Sequence, residues 1–122
     1  KRCYPLKTLI RNHIPFALST DAPVVKNFNP WSGIQSAVLR KSSSGTIISP
    51  DEKLTVAEAL EAYTLGGAFA EGSEAIKGSI QTKKLADFIL LNKNPLEVIP
   101  DELESITTDA VFIDGKEIIS ED

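Results

Sequence analysis

Residues 14–24 read IPFALSTDAPV, an apolar run that ends abruptly on a carboxylate at Asp21 and is followed by Pro23. A continuous apolar run is typical of a strand that is covered on both faces, as in parallel sheets. We therefore predict a short buried strand over Ile14–Leu18 that delivers Asp21 to its C-terminal tip. Parallel α/β sheets and barrels carry their chemistry at those tips, which makes Asp21 the first candidate for a functional residue.

The size and composition of the chain limit the classes of function. It has 122 residues, enough for one modest domain, of which 42% are hydrophobic and 25% charged, as in ordinary folded proteins. The formal net charge of -4 gives no electrostatic reason to expect nucleic acid or an anionic membrane as a partner. No apolar run approaches the roughly 20 residues that a membrane-spanning helix needs.

The cysteine and methionine content bears on the compartment and on the completeness of the chain. Cys3 is the only cysteine, which excludes an internal disulfide and a cysteine-based metal site. One free thiol and the absence of a signal-peptide pattern fit a cytoplasmic protein. The chain begins at Lys1 and contains no Met, from which we expect it to be part of a longer polypeptide.

Apolar periodicity predicts three helices, within residues 4–12, over Trp31–Leu39 and over residues 56–71. The third is the most strongly indicated, because Thr55 and Glu58 have the spacing of a capping box, in which each side chain accepts a hydrogen bond from the other residue's backbone amide. Gly66-Gly67, inside that helix, is expected to mark either a break or a close contact.

The second half of the chain reads as strands and turns. We predict strands at Gly78–Ile80, Leu85–Leu91 and Asp109–Ile113. Asp114-Gly115 is the preferred two-residue hairpin turn, so Lys116–Ile119 is expected to pair with the preceding strand.

Several segments in succession resemble one family. They are residues 19–24 (STDAPV), 29–31 (NPW), 37–40 (AVLR), 54–60 (LTVAEAL), 62–64 (AYT), 77–80 (KGSI), 84–91 (KLADFILL) and 113–116 (IDGK), together with Glu74. No single motif is decisive, but their order and spacing run through nearly the whole chain. The chain resembles the C-terminal end of metal-dependent amidohydrolases, in the family 3 subgroup that contains N-substituted formamide deformylase and relatives of D-aminoacylase.

The resemblance implies an α/β architecture, namely a (β/α)8 barrel with a small β-sandwich built from both chain ends. On that mapping residues 1–72 would hold the last barrel strand and its flanking helices, and residues 73–122 the C-terminal strands of the sandwich. A complete barrel takes about 250 residues, so the rest would precede this chain. Taken alone, the chain is expected to be an α+β fragment that associates with itself, and it is open whether residues 1–50 fold without the remaining barrel.

The resemblance also assigns Asp21 a role in a metal site. In the family the Asp at the end of the eighth strand ligates a divalent metal or hydrogen-bonds the metal-bound water, takes the water's proton and later delivers it to the leaving nitrogen. A metal lowers the pKa of bound water, and an adjacent carboxylate is a suitable proton acceptor and relay. From the local sequence alone, Asp21 could instead be a turn or N-cap residue.

The chain lacks the other ligands of such a site. The family's metal ligands include a His-X-His pair and further His residues, whereas the single histidine here, His13, lies in a turn before the strand and reads as a solvated surface residue. We therefore predict a chain that is inactive alone and belongs to a hydrolase of amide or formamide bonds, a small-molecule substrate class. One or two divalent ions, with zinc expected, would be its cofactor.

Alternative interpretations remain open for the function and for individual residues. The chain could be a non-catalytic α+β module for assembly or regulation. Trp31 and Arg40 could border the substrate pocket or serve helix packing. Asp87 is expected to order a turn by hydrogen bonds, and Lys83 stands where the family usually has a glycine in a tight turn.

Overall fold

A computed structural model of the chain describes residues 3–118, in which four short helices precede a three-stranded antiparallel sheet. The helices are α1 (Leu6–Arg11), α2 (Pro30–Leu39), α3 (Val56–Tyr63) and α4 (Leu65–Glu71), and two 3₁₀ helices span Pro50–Glu52 and Pro100–Ser105. The strands are β1 (Phe88–Leu91), β2 (Thr108–Ile113) and β3 (Lys116–Ile118), in the order β1-β2-β3. None of the described helices has the length and apolar character needed to cross a membrane.

One hydrophobic core joins the helices to the second 3₁₀ helix. Its buried members are Leu6, Trp31, Ile34, Ala37, Leu54, Ala59, Leu103 and Ile106. Leu103 and Ala59 are completely inaccessible to solvent, so the chain near residue 103 returns to pack on the helices. Burying a side chain the size of Leu103 stabilises the fold by about 1.5–3 kcal/mol. Residues near the start of the described chain and residues 103 and 106 thus share one apolar core.

The N-terminus of α3 carries the predicted capping box, which the structure confirms. The Thr55 hydroxyl accepts a hydrogen bond from the Glu58 amide at 3.2 Å, and Glu58 Oε2 accepts one from the Thr55 amide at 2.8 Å. Glu58 Oε1 forms an ion pair with the ammonium of Lys7 in α1. One carboxylate therefore caps α3 and ties α1 to it.

We expect this carboxylate to make the stability of the fold depend on pH. Burial opposes ionisation of Glu58, but hydrogen bonds from Lys7 and Thr55 and the charge of Lys7 outweigh it and lower the pKa below its ordinary value of 4.5. Such a group stabilises the fold above its unfolded-state pKa, and the stabilisation is lost as the pH falls through its folded-state pKa. Lys7→Met should lower the free energy of unfolding by about 0.5–1 kcal/mol at pH 7 and by much less near pH 2.5.

Urea denaturation at both pH values measures this difference. Lys26→Met is the matched control, because Lys26 is exposed and has no ion pair among residues 3–118. A Lys7→Met effect of equal size at both pH values would contradict the assignment.

The helix predicted over residues 56–71 is two helices that divide at Thr64, where φ is −101° and ψ is −79°. The Thr64 hydroxyl donates to the Leu60 carbonyl at 2.8 Å and closes α3. Gly66 then lies against the segment before Asp21, since a Cβ at that position would overlap the Phe16 carbonyl oxygen. The expected close contact is confirmed at Gly66, whereas the break falls two residues earlier than Gly66-Gly67.

The hairpin predicted at Asp114-Gly115 is confirmed. Both residues have positive φ, 50° and 73°, as a two-residue turn of this type requires. The strands pair antiparallel, with Ile113 opposite Lys116; Ile119, the last residue of the predicted strand, lies outside the described residues. The Asp114 amide donates to Asp87 Oδ1 at 2.8 Å, which confirms the turn-ordering role expected for Asp87.

The strand predicted at Gly78–Ile80 is wrong, because these residues lie in an irregular bend without strand pairing. Gly78 has a φ of +86°, and the Lys84 ammonium donates to the Lys77 carbonyl at 3.3 Å and the Ser79 hydroxyl at 2.7 Å. These contacts fold the segment back on itself.

Lys83 adopts a φ of 73°, the left-handed conformation that a glycine would adopt without strain. Within residues 3–118 the strands form one sheet rather than the two layers of a sandwich.

The strand predicted at Ile14–Leu18 does not form either, because a strand requires a partner backbone and none of the described residues provides one. The segment has no regular secondary structure, but Phe16 and Leu18 are partly buried against the core. The Leu18 amide donates to the carbonyl of Ala62 in α3 at 3.1 Å. The segment Ile14–Leu18 is therefore packed on the helices but has no partner strand among the described residues.

Candidate functional site

Asp21 lies three residues beyond the packed segment, at the start of a tight turn. Its amide donates to Ser19 Oγ at 3.3 Å, and its carbonyl accepts from the Val24 amide at 2.9 Å. Its φ of 56° is left-handed, a conformation that costs most residues about 1–2 kcal/mol and that Asp tolerates better than most.

The side chain of Asp21 is free to act on something outside the described chain. The residue is exposed, and among residues 3–118 no hydrogen bond or ion pair engages its carboxylate. The ordering of this turn comes entirely from backbone groups and Ser19. Backbone hydrogen bonds therefore hold Asp21 in the turn, and its carboxylate is available to bind a group outside residues 3–118.

The described residues can supply only one ligand to a divalent metal site, the carboxylate of Asp21. Zinc sites use three or four protein ligands, and no group of three or more His, Cys, Asp or Glu residues comes together among residues 3–118. His13 is exposed and precedes the segment that Asp21 follows. Asp21 can therefore supply one oxygen ligand, or one hydrogen-bond acceptor for a metal-bound water, and the remaining ligands must come from elsewhere.

The turn after Asp21 is anchored to the first turn of α2 by two asparagines. Asn27 Oδ1 accepts from the Asn29 amide at 2.9 Å, and Asn27 Nδ2 donates to Ser32 Oγ at 2.6 Å. Asn29 is the N-cap, with its side chain accepting from the Trp31 amide at 3.0 Å. This anchoring was not predicted from the sequence, although Asn29 followed by Pro30 is the signature of an N-cap with proline at the first helical position.

Trp31 and Arg40, which could have bordered a pocket, are structural. Trp31 is buried in the core. Arg40 is buried at the C-terminal end of α2, where its guanidinium donates to the carbonyl oxygens of Cys3 and, at 3.1 Å, Ile48. These contacts tie the start of the described chain to the loop after α2. Cys3 itself is exposed.

Two open grooves lie on the surface of the described residues, and Asp21 lines neither of them. One, of about 610 Å³, follows Ile14–Phe16 and has Glu58, Glu61 and Glu74 among its lining residues. The other, of about 850 Å³, lies between the sheet and the α3–α4 corner and is lined largely by apolar side chains. The two grooves adjoin the two elements that lack partners, namely the unpaired segment and one face of the sheet.

Comparison with known proteins finds one family that matches nearly the whole chain. Residues 1–119 match the sequence model of the Amidohydrolase family. The chain is 28% identical to N-substituted formamide deformylase of Arthrobacter pascens, over 93% of this chain and 21% of that protein. It is 37% identical to the putative amidohydrolase YtcJ of Bacillus subtilis, over 95% of this chain and 22% of that protein.

A solved structure shows the same fold. The crystal structure of an amidohydrolase from Thermotoga maritima matches 93% of this chain and 25% of its own length, with a TM-score of 0.68 and 20% sequence identity. The chain thus spans about a quarter of that structure and about a fifth of the two curated relatives named above.

Proposed function

The chain belongs to the amidohydrolase family, and from that premise we propose that it forms part of a metal-dependent hydrolase of carbon–nitrogen bonds in which Asp21 is the general acid/base. The observation that carries this proposal is the placement of Asp21. It is an exposed carboxylate, held in a left-handed turn by its own backbone, at the end of a packed apolar segment.

The chemistry proposed for Asp21 is proton transfer. Its carboxylate accepts a proton from the attacking water and then delivers it to the nitrogen that leaves, so one group serves both halves of the hydrolysis. A divalent metal, when bound beside Asp21, lowers the pKa of the attacking water. The turn fixes the backbone that carries the carboxylate, which matters because proton transfer requires hydrogen-bonding distance.

The finer architecture is part of the proposal. The backbone amides of Phe16 and Ala17 have no hydrogen-bond partner among the described residues, which supports the idea that the segment at residues 14–18 is a barrel strand whose neighbours lie in preceding polypeptide. Phe16 is half-buried and Ala17 exposed, so their unpaired amides are open to a partner, and neighbouring strands that pair with this segment would stabilise it.

One face of the sheet carries exposed apolar side chains that other polypeptide could bury. Ile89 and Ile118 both register with Val111, and Ile113 lies two residues further along β2, so these side chains share a face. Ile89, Ile113 and Ile118 are 48%, 54% and 50% exposed. We propose that strands from the remainder of the polypeptide cover this face as the second layer of a β-sandwich.

Metal removal tests the proposed function in the longer polypeptide that carries this chain. We expect a chelator to abolish hydrolysis of an N-substituted formamide and added zinc to restore it, because the proposed reaction depends on metal-activated water. The isolated chain should show neither activity nor zinc-dependent restoration, since it supplies one donor. Full activity after complete removal of metal would contradict the proposal.

A further inference from the structure

The loop between Asp21 and α2 presents apolar side chains to solvent. Val24 is 79% and Phe28 75% exposed, and Val25 is 43% exposed. Exposed loops are ordinarily polar, and neighbouring exposed apolar side chains mark surfaces that bind something. The loop also contains Lys26, an exposed cation.

The backbone on either side of these side chains is fixed. The Val24 amide bonds the Asp21 carbonyl at 2.9 Å, so Val24 belongs to the same turn as the candidate catalytic carboxylate. Phe28 lies between Asn27 and Asn29, which bond each other and the first turn of α2. An anchored backbone holds Phe28 outward rather than letting it fold onto the core.

We propose that Phe28 and Val24 form an apolar wall of the substrate pocket and select amides that carry an apolar group beside the scissile bond. The inference rests on the proposed function and deepens it by naming the substrate class. In barrels the loops that follow the strands build the pocket, and this loop is the one that follows the segment ending near Asp21. A wall on an anchored backbone binds an apolar group with a smaller ordering cost than a wall on a free loop.

Lys26 indicates an alternative substrate class, because its ammonium could bind a carboxylate on the substrate. The apolar class is favoured because two highly exposed apolar side chains, Val24 and Phe28, flank the single cation in sequence. The two classes differ in which substitution changes the substrate preference, so one set of variants separates them.

The experiment measures kcat/KM of the longer polypeptide for N-butylformamide and for N-methylformamide. We expect Phe28→Ala to reduce the ratio of the two constants by about tenfold, because three additional methylene groups lose a large part of their apolar cover. Phe28→Leu should retain most of the ratio. Phe69→Ala is the matched control, an exposed phenylalanine in α4 that should leave the ratio unchanged.

The other outcomes overturn the inference. An unchanged ratio in Phe28→Ala, or an equal change in Phe69→Ala, would show that the wall does not select the substrate. The inference would also be overturned if wild type preferred N-formylglycine to both formamides and Lys26→Met abolished that preference. If wild type hydrolyses neither formamide, this inference is overturned, and the proposed function fails only if no amide or formamide is hydrolysed; activity that depends on Asp21 with an unchanged ratio overturns the inference alone.

Discussion

Asp21→Asn in the longer polypeptide is expected to reduce the turnover of an amide substrate by about 10²- to 10⁴-fold. Asparagine matches the size of Asp21 and accepts its left-handed φ of 56°, but it cannot take up the proton of the attacking water. Because the Asp21 carboxylate has no hydrogen bond or ion pair within the described part of the chain, the same substitution in the isolated chain should change the free energy of unfolding by no more than about 0.5 kcal/mol.

Asp109→Asn is the matched control for this experiment. Asp109 is an exposed carboxylate in β2, and its neutralisation should leave turnover unchanged. Steady-state kinetics and urea denaturation on the same preparations separate a chemical effect from a loss of folded protein. Turnover of Asp21→Asn equal to that of wild type would refute the role assigned to Asp21.

Gly66→Ala is expected to destabilise the fold by about 1–3 kcal/mol, the usual cost of forcing extra atoms into a packed contact. A Cβ at Gly66 would overlap the carbonyl oxygen of Phe16 and lie 3.4 Å from the Cα of Ala17. Both neighbours are backbone, so relief requires α4 or the segment at residues 14–18 to shift. That segment leads directly to Asp21, so the substitution should also disturb the candidate site.

Gly67→Ala is the internal control, because it makes the same chemical change at the next residue of α4. No atom lies within 4 Å of a Cβ built at Gly67. Alanine is the better helix former by about 0.5–1 kcal/mol, so this variant should be more stable than wild type. Urea denaturation of the two variants therefore gives shifts of opposite sign, and a Gly66→Ala protein as stable as Gly67→Ala would contradict the described packing.

Features fixed by neighbouring residues were predictable from the sequence. The capping box of Thr55 and Glu58 depends on residues three apart, and the hairpin turn at Asp114-Gly115 depends on two residues that tolerate positive φ. Each is a local rule that needs no knowledge of the rest of the fold. The resemblance to amidohydrolases was confirmed by the family match over residues 1–119.

Features fixed by distant contacts were not predictable in the same way. The apolar run at Ile14–Leu18 has the composition of a buried strand, but pairing is a property of two segments, and the described residues hold only one of them. The segment predicted as a strand at Gly78–Ile80 instead bends at Gly78 and is held by Lys84, a residue outside it. Asp21 could be nominated from its motif, whereas its prospective metal and co-ligands involve groups outside residues 3–118.

The visible absorption spectrum of the Co²⁺-loaded longer polypeptide tests most directly whether the Asp21 carboxylate belongs to a metal site. A carboxylate that ligates the metal, or that hydrogen-bonds its water, affects the ligand field. The spectrum of Asp21→Asn should therefore differ from that of wild type, while Asp109→Asn should superpose on it. An Asp21→Asn spectrum identical to that of wild type across the pH range would place Asp21 away from the metal and contradict the account.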